Sequence, residues 1–275
     1  MPISIDFTPA APLVLVGVGK MGGALLAGWL ERGLDPGAVV AVDPAPPEDS
    51  AAVLANAGIA PVAAPPKGTA RVIVVAVKPQ IIAGVLPALR ALIGPATVIL
   101  SIAAGTTLAN LEAGLGQAAI VRSIPNTPAQ VGRGMTAAIA NARVDAAGKA
   151  LVTELLAAVG EVAFVEKEAL IDVVTAVSGS GPAYVFLLAE CLAEAAVAEG
   201  ATPELAATIA RATIVGAGEL LRLSDLPPSQ LRKNVTSPNG TTAAAFAVFM
   251  GEDGLARLVR RAVGAARKRS EELSG

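Results

Sequence analysis

The 275-residue chain contains no histidine. That removes the side chain most often used for acid–base work and for holding metals near neutral pH. It has one cysteine, Cys191, so no internal disulfide can form. With no CxxC pair and no histidine, a structural zinc site is excluded, and no metal is expected. Aromatic residues make up only 3%, which argues against an aromatic-rich binding surface. Charged residues are 16% and the net charge is −2, so there is no global attraction to nucleic acid or to anionic membrane. The opening MPISIDFTPAAP has neither a basic n-region nor a continuous apolar h-region. It is read as a loose lead-in rather than a signal peptide. A cytoplasmic location is expected from these features.

What is present is apolar. Hydrophobic residues reach 53%, alanine foremost, enough for a large core in one large or two moderate domains. The segment Ala91–Leu111 carries no charge, yet Gly94, Pro95, Gly105 and three threonines interrupt it. It reads as a buried strand with its loops rather than as a membrane span.

The rhythm changes along the chain. In the first part, LVLVGVG (13–19), AVVAVD (38–43), RVIVVAVKP (71–79), TVILSIA (97–103), AIVRSIPN (119–126) and EVAFV (161–165) alternate with helical spacing. Strands apolar on both faces and separated by helices predict a parallel sheet covered on both sides. After about residue 166 the strand signal stops. Helices are predicted up to Gly200, from Thr202 to about Leu223, around 229–234, and over 243–270. Several are apolar around most of their circumference and need partners on more than one side, so a second subunit is expected to cover them. The expected class is therefore α/β, with a dinucleotide-binding domain over 1–165 and an all-α domain over 166–275.

Gly17-Val-Gly19-Lys20-Met21-Gly22 is a GxGxxG run between a strand and a helix. The first glycine permits the tight turn, the second lets the backbone approach a pyrophosphate, and the third allows close helix packing. Asp43 ends the next strand at the distance expected of a ribose ligand. A glycine turn of purely structural purpose is the alternative. Val77-Lys78-Pro79 and Ala103-Ala104-Gly105 end two further strands, where ligands bind in open α/β sheets. Pro125-Asn126-Thr127-Pro128 follows another, either as a cofactor contact through Asn126 or as a rigid turn. Downstream, VTSPNGTTAAAF (235–246) reads as a tight polar loop opening a helix.

Taken in order, GxGxMG, AVKP, SIAAG, PNTPA, AVSGSGPAYVF and NVTSPNGTT resemble the pyrroline-5-carboxylate reductase family, from residue 13 to about 273. The resemblance implies a Rossmann-like domain followed by a helical dimerisation and substrate domain, with dimers assembled into a larger ring such as a decamer. It implies NAD(P)H-dependent reduction of the C=N bond of 1-pyrroline-5-carboxylate to L-proline. It also implies that the substrate carboxylate meets backbone amides of the loop containing Ser237, Asn239, Gly240, Thr241 and Thr242, with the Thr242 hydroxyl near the ring nitrogen. Asp225 aligns with an acidic position near the substrate. Ser178 and Ser180 begin a helix beside the nicotinamide, where capping is their alternative role.

Two positions depart from the family pattern. Asn239-Gly240 stands where a glycine pair is usual, and asparagine is the residue other than glycine best able to take positive φ. Asp43 stands where NADPH-preferring members carry a small hydroxyl residue, and no arginine or lysine follows it in Pro44-Ala45-Pro46-Pro47. A carboxylate there accepts from a ribose hydroxyl and repels a 2′-phosphate, so the cofactor is expected to be NADH or NADPH with a lean to NADH. Asp43 capping its own turn is the alternative.

Two rival functions share parts of this pattern. A hydroxyacid dehydrogenase would need a lysine in 175–190, where the titratable side chains are Tyr184 and Glu190. A non-catalytic dinucleotide sensor would leave the 235–246 loop without a purpose.

Overall fold

A computed structural model describes residues 7–274; the first six residues of the expected lead-in lie outside the described residues. The described chain divides into two units. Ser180–Arg267 form one, and the remainder, including the last turns of the C-terminal helix from Lys268, forms the other.

The first unit holds a seven-stranded sheet in the order β2-β1-β3-β4-β5-β6-β7. Its strands are β1 (Leu13–Val16), β2 (Val39–Val42), β3 (Val72–Val75), β4 (Val98–Ser101), β5 (Ala119–Ile124), β6 (Gly134–Ala140) and β7 (Gly160–Phe164). The helices of this unit are α1 (Lys20–Glu31), α2 (Glu48–Asn56), α3 (Pro79–Leu89), α4 (Leu108–Leu115), α5 (Ala146–Ala157) and α6 (Ala169–Val174). Alternate residues of β1 serve opposite faces. Leu13 and Leu15 pack with Leu25, Leu26 and Trp29 of α1 and with Leu155 of α5, while Val14 and Val16 pack with Leu86 of α3 and Leu111 of α4. This is why the central strands are apolar throughout. The fully buried Trp29 donates its indole N–H to the Leu155 carbonyl at 2.8 Å, so its one polar atom is satisfied.

An additional edge strand is reduced to one parallel bridge, Val62 against Val42, held by Asp43 N–H to Val62 O at 3.0 Å and Val62 N–H to Ala41 O at 2.8 Å. With that bridge counted, the chain reverses direction across the sheet at β1, between β2 and β3. Ligands bind at such a switch point, beyond the carboxyl ends of the strands.

Two expectations need correction. The sheet is not wholly parallel: β6 runs antiparallel to β5 and parallel to β7. No strand was expected at β6, because GMTAAIA lacks the β-branched density of the other strands, and its extended form comes from its two neighbours. The helix expected over 243–270 is two helices, α10 (Thr241–Phe249) and α11 (Leu255–Ser274). Gly254 folds back so closely that a Cβ there would collide with the Phe249 carbonyl, which requires glycine.

The second unit contains α7 (Gly181–Ala198), α8 (Pro203–Leu223), α9 (Pro228–Asn234), α10 and most of α11. Gly200 ends the α7 segment at φ 99°, and Thr202 caps α8 by accepting from Leu205 N–H at 3.3 Å. Among its residues only Ala206 and Ala210 are buried hydrophobics. Phe186 is 62% exposed and Val248 76%. By length and composition the helical run Ala169–Ala198 could cross a bilayer. It is broken at Ser180, where the chain bends.

Candidate functional site

The glycine-rich loop lies in the first unit, where β1 turns into α1. Its three glycines serve three separate purposes. Gly17 has φ 91°, and a Cβ there would sit 2.8 Å from the Ala76 carbonyl oxygen of the neighbouring strand end. A Cβ on Gly22 would collide with the Gly17 carbonyl. Gly19 faces open space, with nothing within 4 Å of where a Cβ would stand, and it is the residue before the first turn of α1. That first turn contains no acidic side chain. Its free amides and the absent Cβ leave room for an anionic group to meet the backbone, so the loop fits a pyrophosphate. Lys20 is exposed and Met21 half-buried at the start of α1.

Asp43 follows β2 and is tied at both oxygens. Oδ2 accepts from Val18 N–H of the glycine loop at 2.7 Å, and Oδ1 accepts from Ala45 N–H at 2.9 Å. The carboxylate therefore braces the loop and caps its own turn together. A carboxylate has about four acceptor sites, so two remain for a ligand. Asp43 lines a cleft of about 500 Å³ with Gly17, Pro44, Val77, Ile81 and Val85.

Lys78 and Pro79 form the start of α3, with Lys78 at the N-cap and Pro79 in the first turn. Ala103 is buried after β4, Ala104 is exposed, and Gly105 turns at φ 70°. A Cβ on Gly105 would lie 3.2 Å from the Leu273 carbonyl oxygen, so the end of α11 lies against this strand end. Ser270 of α11 also donates its hydroxyl to the buried Asp172 carboxylate of α6 at 2.7 Å.

Asn126 is the most connected of the expected site residues. Its Oδ1 accepts from Met135 N–H at 2.8 Å, and its Nδ2 donates to both the carbonyl and the hydroxyl oxygen of Ser178 at 3.1 Å. Ser178 belongs to a π-helical turn, Thr175–Gly179, that continues α6. Nothing in the sequence motifs announced this link; the signal that could have revealed it is Pro182, four residues after Ser178. Arg122 and Glu168 were not among the expected site residues either. Arg122 is 3% exposed on β5 and pairs with Glu168 at 2.6 Å, and Glu168 also accepts from Leu108 N–H at the start of α4. They brace the β4–α4 loop that carries Ala104 and Gly105.

The polar loop expected to meet the substrate lies in the second unit. Asn239 has φ 60°, the one positive value outside glycine among the described residues. Gly240 N–H closes the turn on Ser237 O at 3.1 Å. Gly240 is the N-cap of α10, whose first residues are Thr241 and Thr242, and no side chain caps that end. A Cβ on Gly240 would collide with the Ser237 hydroxyl. The result is an uncapped helix start that directs backbone N–H groups outward, the arrangement that binds a carboxylate. Arg232 of α9 lies 5.5 Å from the centre of the Phe246 ring and supports the first turns of α10. Asp225 is exposed between α8 and α9. Ser180 precedes α7 with its hydroxyl making no capping bond. No group of three or more potential metal ligands occurs among the described residues.

Comparison with known proteins reaches both units. A family model described as pyrroline-5-carboxylate reductase dimerisation matches residues 168–273. One described as NADP oxidoreductase coenzyme F420-dependent matches 12–105. A pyrroline-5-carboxylate reductase of Pseudomonas aeruginosa is 40% identical over 265 residues, covering 95% of this chain and 96% of that protein. The structure of a pyrroline-5-carboxylate reductase from Coxiella burnetii aligns with a TM-score of 0.90 at 34% identity, covering 97% of this chain and 99% of that one. A Plasmodium falciparum pyrroline carboxylate reductase with NADP bound aligns with a TM-score of 0.79 at 28% identity, covering 98% and 100%.

Proposed function

The chain belongs to the pyrroline-5-carboxylate reductase family, and on that premise we propose how its residues divide the work. The protein is an NAD(P)H-dependent oxidoreductase that reduces the C=N bond of 1-pyrroline-5-carboxylate to L-proline, and it self-associates. We propose that Gly17, Gly19, Lys20, Met21 and Gly22 receive the pyrophosphate and Asp43 the adenosine ribose. Val77, Lys78, Pro79, Ala103, Ala104 and Gly105 line the path toward the nicotinamide, and Asn126, whose amide is committed to Met135 and Ser178, supports that end without touching the cofactor.

On the substrate side, the amides from Asn239 to Thr242 take the carboxylate, with Ser237 shaping the turn. The Thr242 hydroxyl orients the ring nitrogen, Ser180 stands beside the reacting carbon, and Asp225 lies near the substrate. The observation that carries this reading is the uncapped start of α10, approached through a positive-φ Asn239.

The chemistry accounts for the missing histidine. Reducing a carbonyl creates an alkoxide that needs a positioned acid. A protonated imine already carries positive charge, and a neutral amine results when its carbon gains hydride. NAD(P)H supplies that hydride when bound. The side chains then have to orient the substrate, hold its anion and exclude water.

Four finer points belong to the same proposal. The working domain boundary lies at 165/166, where strand character ends. The dimers assemble further into a ring, a decamer. The protein works in the cytoplasm, without nucleic-acid or membrane partners; the net charge of −2 supports this, as do Glu271 and Glu272 beside the C-terminal arginines. NADH is the preferred cofactor.

The deciding experiment follows cofactor oxidation with 1-pyrroline-5-carboxylate and with a panel of 2-oxo acids, using NADH and NADPH in turn. Turnover confined to the imine is expected. Turnover of the oxo acids alone would make the protein a hydroxyacid dehydrogenase, and turnover of neither would make it a sensor.

A further inference from the structure

An α-helix joins each carbonyl to the N–H four residues later. For Ser178 that position is Pro182, which has no N–H, and whose ring would press on the same carbonyl if the helix ran on. The chain answers this conflict locally. The helix continuing α6 widens into the π-turn Thr175–Gly179, and Ala183 N–H bonds to Ser180 O at 3.1 Å. The carbonyl of the half-buried Ser178 is thus left without the donor a regular helix would supply.

The donor comes from the loop after β5. Asn126 Nδ2 reaches the Ser178 carbonyl and hydroxyl oxygens, both at 3.1 Å. The orientation of this amide is not interchangeable. Its other end accepts from Met135 N–H, which can only donate, and Ser178 O can only accept. One side chain therefore joins the loop after β5, the start of β6 and the π-turn.

We propose that Asn126 is a positioning residue: its amide replaces the N–H that Pro182 cannot supply, and so fixes Ser178 and Gly179 in place. It acts on the reaction through the SGSGP backbone rather than by touching cofactor or substrate. The kinetic part of this rests on the reading that places that segment beside the nicotinamide; the structural part does not.

The test is Asn126→Asp, made in the wild-type chain and in a Pro182→Ala chain. The carboxylate can still accept from Met135 N–H and from the Ser178 hydroxyl, but it cannot donate to the Ser178 carbonyl. In the wild-type background the apparent Tm should fall by about 3–8 °C, the range expected when a partly buried carbonyl loses its donor. Pro182→Ala restores an N–H at the required position, so in that background the same substitution should cost less than half as much.

In assays with 1-pyrroline-5-carboxylate, kcat/KM of Asn126→Asp should fall by roughly tenfold or more. The Kd for NADH, read by fluorescence titration, should change by less than about threefold, since no direct contact is lost. An equal Tm loss in both backgrounds would overturn the proposal. So would a rise in the NADH Kd matching the fall in kcat/KM, which would make Asn126 a direct cofactor contact. Should the single variant not fold, recovery of folding in the double variant supports the clamp and failure to recover refutes it. If the wild-type protein does not reduce the imine, the functional reading fails, and the Tm comparison still decides the clamp.

Discussion

Thr242 and Asp43 are the residues on which the proposed chemistry and cofactor choice turn. Thr242 is the second residue of α10 and is half-buried. If its hydroxyl orients the ring nitrogen, Thr242→Ala should lower kcat/KM by roughly ten- to a hundredfold, about 1.4–2.8 kcal/mol. Binding of reduced cofactor should hardly change, and a variant with wild-type turnover would remove the role. Asp43 holds the glycine loop through Val18 N–H and its own turn through Ala45 N–H. Capping and ribose recognition are therefore compatible in one carboxylate. NADH should show the lower KM, and Asp43→Ser should narrow the difference chiefly by improving NADPH. A serine cannot keep both backbone bonds, so some loss with NADH should accompany it. Steady-state kinetics with both cofactors check this; a wild-type preference of tenfold or more for NADPH would rule out ribose reading by Asp43.

Among the elements, the turn before α10 is the most demanding. It needs positive φ at Asn239, and a Cβ at Gly240 would displace the Ser237 hydroxyl. Asparagine bears a left-handed conformation better than other residues with a Cβ, and glycine bears it better still. Asn239→Gly should keep kcat/KM within about threefold, the gain in backbone ease being offset by a freer unfolded chain. Asn239→Ala should raise KM for 1-pyrroline-5-carboxylate by about tenfold, as a turn strained by roughly 1–2 kcal/mol moves its amides. The ordering Gly, Asn, Ala in KM is the measurement, and equal values for all three would mean that the loop does not hold the carboxylate.

For the whole molecule, the exposed apolar surface of the second unit governs behaviour. Phe186, Leu187, Leu223, Val248 and Met250 are all exposed, and nearly all residues buried in the core belong to the first unit. A helical unit with so little of its own core is stable only when another copy covers it, and the dimerisation family match covers this region. Sedimentation at assay concentrations should find no stable, active monomer. Because apolar contact dominates, raising salt to about 1 M should not dissociate the assembly, whereas an electrostatic interface would weaken within a Debye length of about 3 Å. An active monomer would refute this account.

The local sequence determined a great deal here, because its signals are ones that chain geometry obliges. The GxGxxG turn, five of the apolar parallel strands, the Thr202 cap, the Gly200 stop and the positive φ of Asn239 all follow from what single residues permit their own backbone to do. Only the tertiary structure decided the rest. β6 is a strand because β5 and β7 flank it, not because GMTAAIA demands it. Oδ2 of Asp43 meets Val18 N–H because β1 and β2 end side by side, which no spacing rule conveys, whereas its bond to Ala45 N–H is local and was legible as a turn cap. Asn126 was legible as a loop residue with fixed backbone, but its partner is 52 residues away. Side-chain hydrogen bonds across such separations depend on where two elements meet in space, and local backbone preference carries no record of that meeting.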